Sequence, residues 1–204
     1  MGRPRRIQFE GAFYHIYNRG VEKRPIFMEE RDRKMFLQFL ADAVSEFQLR
    51  LIAYCLMENH YHLFLQTLKA NLQTAMKNLQ GKYAQYVNFR YERVGPLFQG
   101  RYNSRLVNAD QYALALTRYI HRNPLEAGSV QKLDDYPWSS YPSYSGKMPI
   151  WNWLDASWLL GQFGSETNRA QQNFIQFHEQ VPTHSESSVL AHASDLTGVR
   201  PSRV

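Results

Sequence analysis

The sequence predicts an α+β domain: a four-stranded antiparallel sheet with helices packed against it. Three observations carry that expectation. Four short segments, 12–19, 50–57, 60–67 and 101–107, read as strands from alternation and from their content of aromatic and β-branched side chains. Two longer segments, 29–47 and 71–93, read as helices. Their order along the chain is β-α-β-β-α-β, followed by another helix. That order is the ferredoxin-like (RRM-like) split unit, in which two helices lie on one face of the sheet.

Each element has its own warrant. Residues 2–8, GRPRRIQ, form an extended basic arm, because Pro4 opposes helix. AFYHIYNR (12–19) alternates, and Gly20 closes it. In the first helix Met35, Phe36, Phe39, Leu40, Ala43 and Phe47 recur at helical spacing. RLIAYCLM (50–57) and HYHLFLQT (60–67) are joined by Glu58 and Asn59, the length of a tight hairpin turn. Asn71 suits the N-cap of the second long helix, and GPLFQG (95–100) is a loop before RYNSRLV (101–107). Asp110 suits the cap of a third helix, which Pro124 is expected to stop near Arg122. YPWSSYPSYSG (136–146) reads as a loop with aromatic anchors, and weaker helical signals follow near 155–163, 166–180 and 186–197. The expected division is a basic arm at 1–9, one domain at 10–150 and a helical appendage or tail at 151–204.

Composition narrows the function classes. Hydrophobic residues are 44% and charged residues 21% of the 204, a balance that supports a real core. The single Cys55 excludes a disulfide framework. No apolar run approaches a membrane span and no signal core follows the basic N-terminus, so a cytoplasmic protein is expected. The net charge of +6 fits a polyanionic partner. Arginine dominates where charge clusters, at Arg3, Arg5 and Arg6 and again at Arg90, Arg93, Arg101 and Arg105. Its planar fork suits phosphate.

The chemistry centres on ENHYHLFL (58–65). Strand side chains alternate, so His60 and His62 project from one face, about 6.5–7 Å apart at Cα. Leu63, Leu65 and Tyr61 point to the other, which is expected to carry the two helices and leave the histidines on the free face. Two neutral imidazoles at this spacing can share a divalent cation. Taken alone, the short pattern fits hydrogen-bonded histidines on a sheet surface as well. A second motif, RYIHRNPLEAG (118–128), places Tyr119 and Asn123 one helical turn apart on one face. Pro124 is expected to push Asn123 out of helical geometry, so that its carbonyl oxygen completes a metal site with His60 and His62, beside the Tyr119 phenol. Alternatively Tyr112, Leu116 and Tyr119 are a packing stripe and Asn123 is a cap. His121 points about 200° away from Tyr119 around the helix and reads as structural or DNA-facing. His15 reads as a sheet-surface residue, with a contact near the His60 strand as the other option.

Together the segments YHIYNRG (14–20), LMENHYHLFL (56–65), GPLFQGRYNSRLV (95–107), ALTRYIHRNPLEAG (115–128) and YPWSSY (136–141) resemble the HUH single-tyrosine nucleases, and within them the REP-associated tyrosine transposases. The likeness covers about residues 10–145 in order. It departs at Glu58, where the family usually has proline, and at Tyr61, where an aliphatic residue is more usual. The resemblance implies metal-dependent cleavage and rejoining of single-stranded DNA near palindromic repeats that fold into hairpins. It implies a Mg²⁺ or Mn²⁺ cofactor held by His60, His62 and Asn123, and Tyr119 as nucleophile forming a 5′-phosphotyrosine. Arg3, Arg5, Arg6, Arg90, Arg93, Arg101 and Arg105 are the candidate DNA contacts. A monomer and a homodimer that exchanges tyrosine helices both remain open. Two other readings compete: a non-catalytic RNA- or DNA-binding module of RRM-like fold, and a hydrolase in which the cation activates water with Glu58 as base.

Overall fold

A computed structural model describes residues 7–107 and 111–181 of the chain. The elements are β1 (Phe13–Arg19), α1 (Glu30–Glu46), β2 (Leu49–Leu56), β3 (His60–Thr67), α2 (Leu72–Arg90), β4 (Asn103–Val107), α3 (Gln111–Glu126), α4 (Tyr141–Tyr144), α5 (Ala156–Gly161) and α6 (Thr167–Glu179). The sheet is antiparallel with the order β2-β3-β1-β4, so β1 and β3 are central. This is the predicted α+β architecture, strand for strand. The proposed caps at Asp110 and the helix near 186–197 lie outside the described residues.

One face is covered by α1 and α2. Tyr61 packs on Phe36 and Phe98, with ring centroids 5.0 and 6.2 Å away, and its hydroxyl accepts from Gln80 Nε2 at 2.6 Å. Phe27 and Tyr83 close the same cluster, each edge to face with Phe36. The start of α1 is fixed by a capping box between Glu29 and Asp32. Buried Asp32 accepts from the Met28 and Glu29 amides, both at 2.9 Å, and from the Tyr86 and Tyr91 hydroxyls at the far end of α2. The two helices are thereby locked end to end.

The β2–β3 hairpin that carries the histidines is pinned by its neighbours. Met57 N–H donates to His60 O at 2.9 Å, leaving Glu58 and Asn59 at the tip. Gly20 N–H donates to Asn59 O at 2.8 Å. A Cβ on Gly20 would lie 2.1 Å from the Arg24 carbonyl oxygen, so only glycine lets the chain turn this close behind the hairpin.

The other face is not free, contrary to expectation. α3 lies over β2 and β3, and α5 packs against β2. Phe13 and Phe64 on that face need apolar cover, and Trp158 of α5 supplies it at centroid distances of 5.3 and 5.9 Å. The segment read as a loop with aromatic anchors also guards the outer edge of β2. Leu56 N–H donates to Trp138 O, Ser140 N–H to Tyr54 O, and the Tyr54 N–H to Ser140 Oγ, at 2.9, 3.0 and 3.0 Å. The Tyr136 and Tyr144 hydroxyls donate to Leu56 O and Ile52 O. An exposed edge strand is thus satisfied without a further strand.

Residues 151–181, expected as an appendage, enter the same core. Asp155 N–H donates to Leu51 O at 2.7 Å, and Leu159 and Phe174 are fully buried. The third helix also differs from expectation, running through Pro124 to Glu126. A proline near a helix C-terminus removes one hydrogen bond, and the last turn is held by others. Ser129 N–H donates to Pro124 O and Gly128 N–H to Leu125 O, with Gly128 at φ 68°, a Schellman ending.

Candidate active site

The site forms where the two central strands meet α3. Alternation puts His60, His62 and Phe64 of β3 on the α3 side, and pairing sets Tyr17 opposite His62 and Arg19 opposite His60. The His60 and His62 rings are 5.1 Å apart at their centroids and nearly perpendicular. From α3, the Tyr119 ring stands edge-on to His62 at 5.4 Å. Asn123, one turn on, donates from Nδ2 to the Tyr119 carbonyl oxygen at 2.8 Å, which leaves Oδ1 for the site. Its side chain reaches the His60 ring and the Tyr119 phenol. All four residues predicted for the chemistry therefore meet, and they meet within one chain. Asn123 does so from inside the helix, not from a terminus freed by Pro124.

The hydrogen bonding is incomplete in an informative way. His60 Nδ1 bonds Asn59 Oδ1 at 2.7 Å, and since a carbonyl oxygen only accepts, the proton is on Nδ1. His60 Nε2 then carries a lone pair. That atom and His62 Nε2 are both buried with no well-formed hydrogen bond. Two orphaned imidazole nitrogens on adjacent rings, with an amide oxygen beside them, suit a divalent cation. Among the described residues no group of three His, Cys, Asp or Glu is placed to hold a metal ion.

Electrostatics agree with neutral ligands. Burial pushes His60 down to about 4, with the Arg19 charge adding to the effect and Asn123 opposing it. His62 is held well below the ordinary imidazole value by burial and by its histidine neighbours. Burial raises the Tyr119 phenol well above its usual value, and the Glu126 carboxylate adds to this while Asn123 opposes it. The carboxylate sensed by the phenol is thus Glu126. Glu58 lies exposed at the hairpin tip. Tyr119 and Asn123 retain 7% and 5% exposure, so the half-buried His60 and Arg19 mark the open side of the site.

The histidine that sequence reasoning placed on the sheet surface is fully buried. His15 Nε2 lies 3.0 Å from His62 Nδ1, with the two rings stacked at 5.2 Å. Its 6.1 Å contact with Tyr119 makes it part of the site. The signal was present: once β1 pairs with β3, His15, Tyr17 and His62 share a face. His121 is structural. It bonds His178 Nε2 at 3.0 Å and Ser140 Oγ at 2.7 Å, on the side of α3 away from the site.

The arginines divide. Arg3, Arg5 and Arg6 lie outside the described residues. Arg90 pairs with Glu29 at 2.7 Å and Asp32 at 3.7 Å, so it serves the α1–α2 lock. Arg93 is half-buried and Arg101 exposed. Arg105 pairs with His15 across β1 and β4, which puts it on the face of the site.

Comparison with known proteins gives the family. The family described as "Transposase IS200 like" matches residues 8–123, more than half the chain and the whole of the sheet with all four site residues. The solved structure of a REP-associated tyrosine transposase bound to a REP hairpin is similar in fold, at TM-score 0.63 and 16% identity, over 76% of this chain and 93% of that one. A transposase from Deinococcus radiodurans aligns at 19% identity and TM-score 0.41, over 60% of this chain and 95% of that one. No curated protein matches the sequence.

Proposed function

The chain belongs to the IS200-like transposase family, and on that footing we propose that it cleaves and rejoins single-stranded DNA beside hairpin-forming palindromes through a 5′-phosphotyrosine on Tyr119. The observation that carries this reading is the meeting of the Tyr119 phenol and the Asn123 amide with two imidazoles whose buried Nε2 atoms make no well-formed hydrogen bond. A hairpin substrate is supported by the REP hairpin held by the transposase of similar fold.

His60 and His62 through Nε2, with Asn123 through Oδ1, would hold Mg²⁺ or Mn²⁺. Three neutral ligands leave such a cation its full charge, which polarises a scissile phosphate and favours phenolate over phenol. The residues of the chain do the rest. Asn59 orients the His60 ring. Asn123 links the nucleophile to the ligands. Arg19, fixed through Nε by Gln99 Oε1 at 2.5 Å, brings a positive charge to the open side, beside His60. The Tyr119 phenol gives up its proton as its oxygen attacks phosphorus, the bond from phosphorus to the 3′ oxygen breaks, and the 3′ oxygen takes one proton from solvent to leave as a hydroxyl, so the proton count is unchanged. The phosphotyrosine conserves the energy of the broken linkage, so a 3′-hydroxyl reverses the step without a nucleotide cofactor. In the resting protein burial keeps the phenol protonated, so Tyr119 is a weak nucleophile until the site is assembled.

The test is covalent trapping. Wild-type protein incubated with hairpin-bearing single-stranded DNA and Mn²⁺ should give an adduct that survives denaturing electrophoresis, and Tyr119→Phe should give none while remaining folded. Cleavage that persists in Tyr119→Phe would favour the water-activating hydrolase instead.

A further inference from the structure

We propose that His15 is a positioning residue for the metal site, setting which nitrogen of His62 carries the proton and thereby whether His62 can act as a ligand. The proposal rests on the metal-site reading above. Its basis is the 3.0 Å contact between His15 Nε2 and His62 Nδ1, with both rings fully buried. His15 Nδ1 and His62 Nε2, the outer nitrogens of the pair, have no hydrogen-bond partner.

A neutral pair joined in this way has two proton arrangements. In the first, His62 Nδ1–H donates to His15 Nε2; His62 Nε2 then carries a lone pair and His15 Nδ1 a proton. In the second, His15 Nε2–H donates to His62 Nδ1; His62 Nε2 then carries the proton and has nothing to offer a cation. Going from the second to the first moves the shared proton from His15 Nε2 to His62 Nδ1, releases one proton from His62 Nε2 and takes one up at His15 Nδ1. The count is unchanged, so occupying the site need not alter the charge of the protein. His60 has no such ambiguity, because Asn59 Oδ1 accepts only from a protonated Nδ1. His15 is therefore the partner that admits or denies the second imidazole. A ligand histidine whose other nitrogen is held by a buried acceptor is also held in ring orientation, and loss of such a partner typically weakens metal binding about 10–100-fold.

The experiment measures Mn²⁺ affinity of the full chain without DNA, by calorimetry, for wild type, His15→Phe, His15→Gln and His62→Ala. His15→Phe should bind Mn²⁺ about 10–100-fold more weakly than wild type, while His15→Gln, whose amide oxygen can accept from His62 Nδ1, should recover most of the loss. In parallel, long-range ¹H–¹⁵N spectra of the wild type with saturating Mg²⁺ should show His62 protonated at Nδ1, a readout that does not depend on any variant folding. Wild-type affinity in a folded His15→Phe, or a Mg²⁺-loaded His62 protonated at Nε2, overturns the role of His15 alone. A wild type that binds Mn²⁺ no better than His62→Ala overturns the metal site itself, and the role of His15 with it.

Discussion

Buried, neutral histidines make the fold acid-sensitive, and His178 shows by how much. Its ring is fully buried, 3.9 Å from the Phe174 ring centroid, and bonds His121 and the Phe174 carbonyl oxygen at 3.0 and 2.9 Å. Burial pushes it down to about 3, with the Arg118 and Arg122 charges adding to the effect. In the unfolded chain its pKa returns to about 6.5. A depressed folded value means that the unfolded state binds the proton first. The stabilisation is therefore complete above about pH 6.5 and is lost as pH falls from there toward 3. Between pH 7.5 and pH 5 this one group removes about 2 kcal/mol, a substantial share of a domain's stability. Urea unfolding at the two pH values measures it, comparing wild type with His178→Gln. The variant should be less stable at pH 7.5, because ring packing is lost, yet its drop between the two pH values should be smaller than wild type's by about 2 kcal/mol. Equal drops in the two proteins would refute the reasoning.

Other outcomes follow from the same geometry. Asn123→Asp puts an anionic oxygen where the amide oxygen stands, so Mn²⁺ should bind more tightly by calorimetry while single-turnover cleavage slows, because a carboxylate offsets the charge left for phosphate. Arg90→Ala should lower thermal stability through loss of its Glu29 and Asp32 contacts and leave hairpin affinity within about twofold. Arg101→Ala should instead weaken hairpin binding and reduce the slope of log K against log salt by about 0.7–0.9. Phe174→Ala should cost about 3–5 kcal/mol in denaturant titration. A chain truncated after residue 150 should fail to fold, since Leu154, Leu159 and Phe174 complete the core.

Much of the architecture and of the candidate site's geometry is legible in the sequence because it depends on local periodicity. Alternation in β3 fixes the face of His60 and His62, and the i, i+4 spacing in α3 aligns Tyr119 with Asn123. What escaped depends on tertiary cover. Nothing local in AFYHIYNR says that its outward face will be roofed, so His15 read as a surface residue although it is fully buried. The cover comes from separate parts of the chain: Tyr119 of α3 stands over His15, and Trp158, far along the sequence, packs on Phe13 of the same strand. Pro124 was weighed as a stop, whereas Gly128 four residues on is the real terminator; the Leu-Glu-Ala-Gly run carried that signal. Charge clustering around Arg90 does not reveal that Glu29 and Asp32 come to meet it.

The most direct test of the central claim is the identity of the residue bonded to DNA. Trypsin cuts after Arg118 and Arg122, so digestion of the trapped adduct after nuclease trimming isolates Tyr119–Arg122. Mass spectrometry should find the added nucleotide on that tetrapeptide, on the phenolic oxygen, and only when the divalent cation is supplied. DNA linked to any other tyrosine, or cleaved product with no protein attached, would contradict the account.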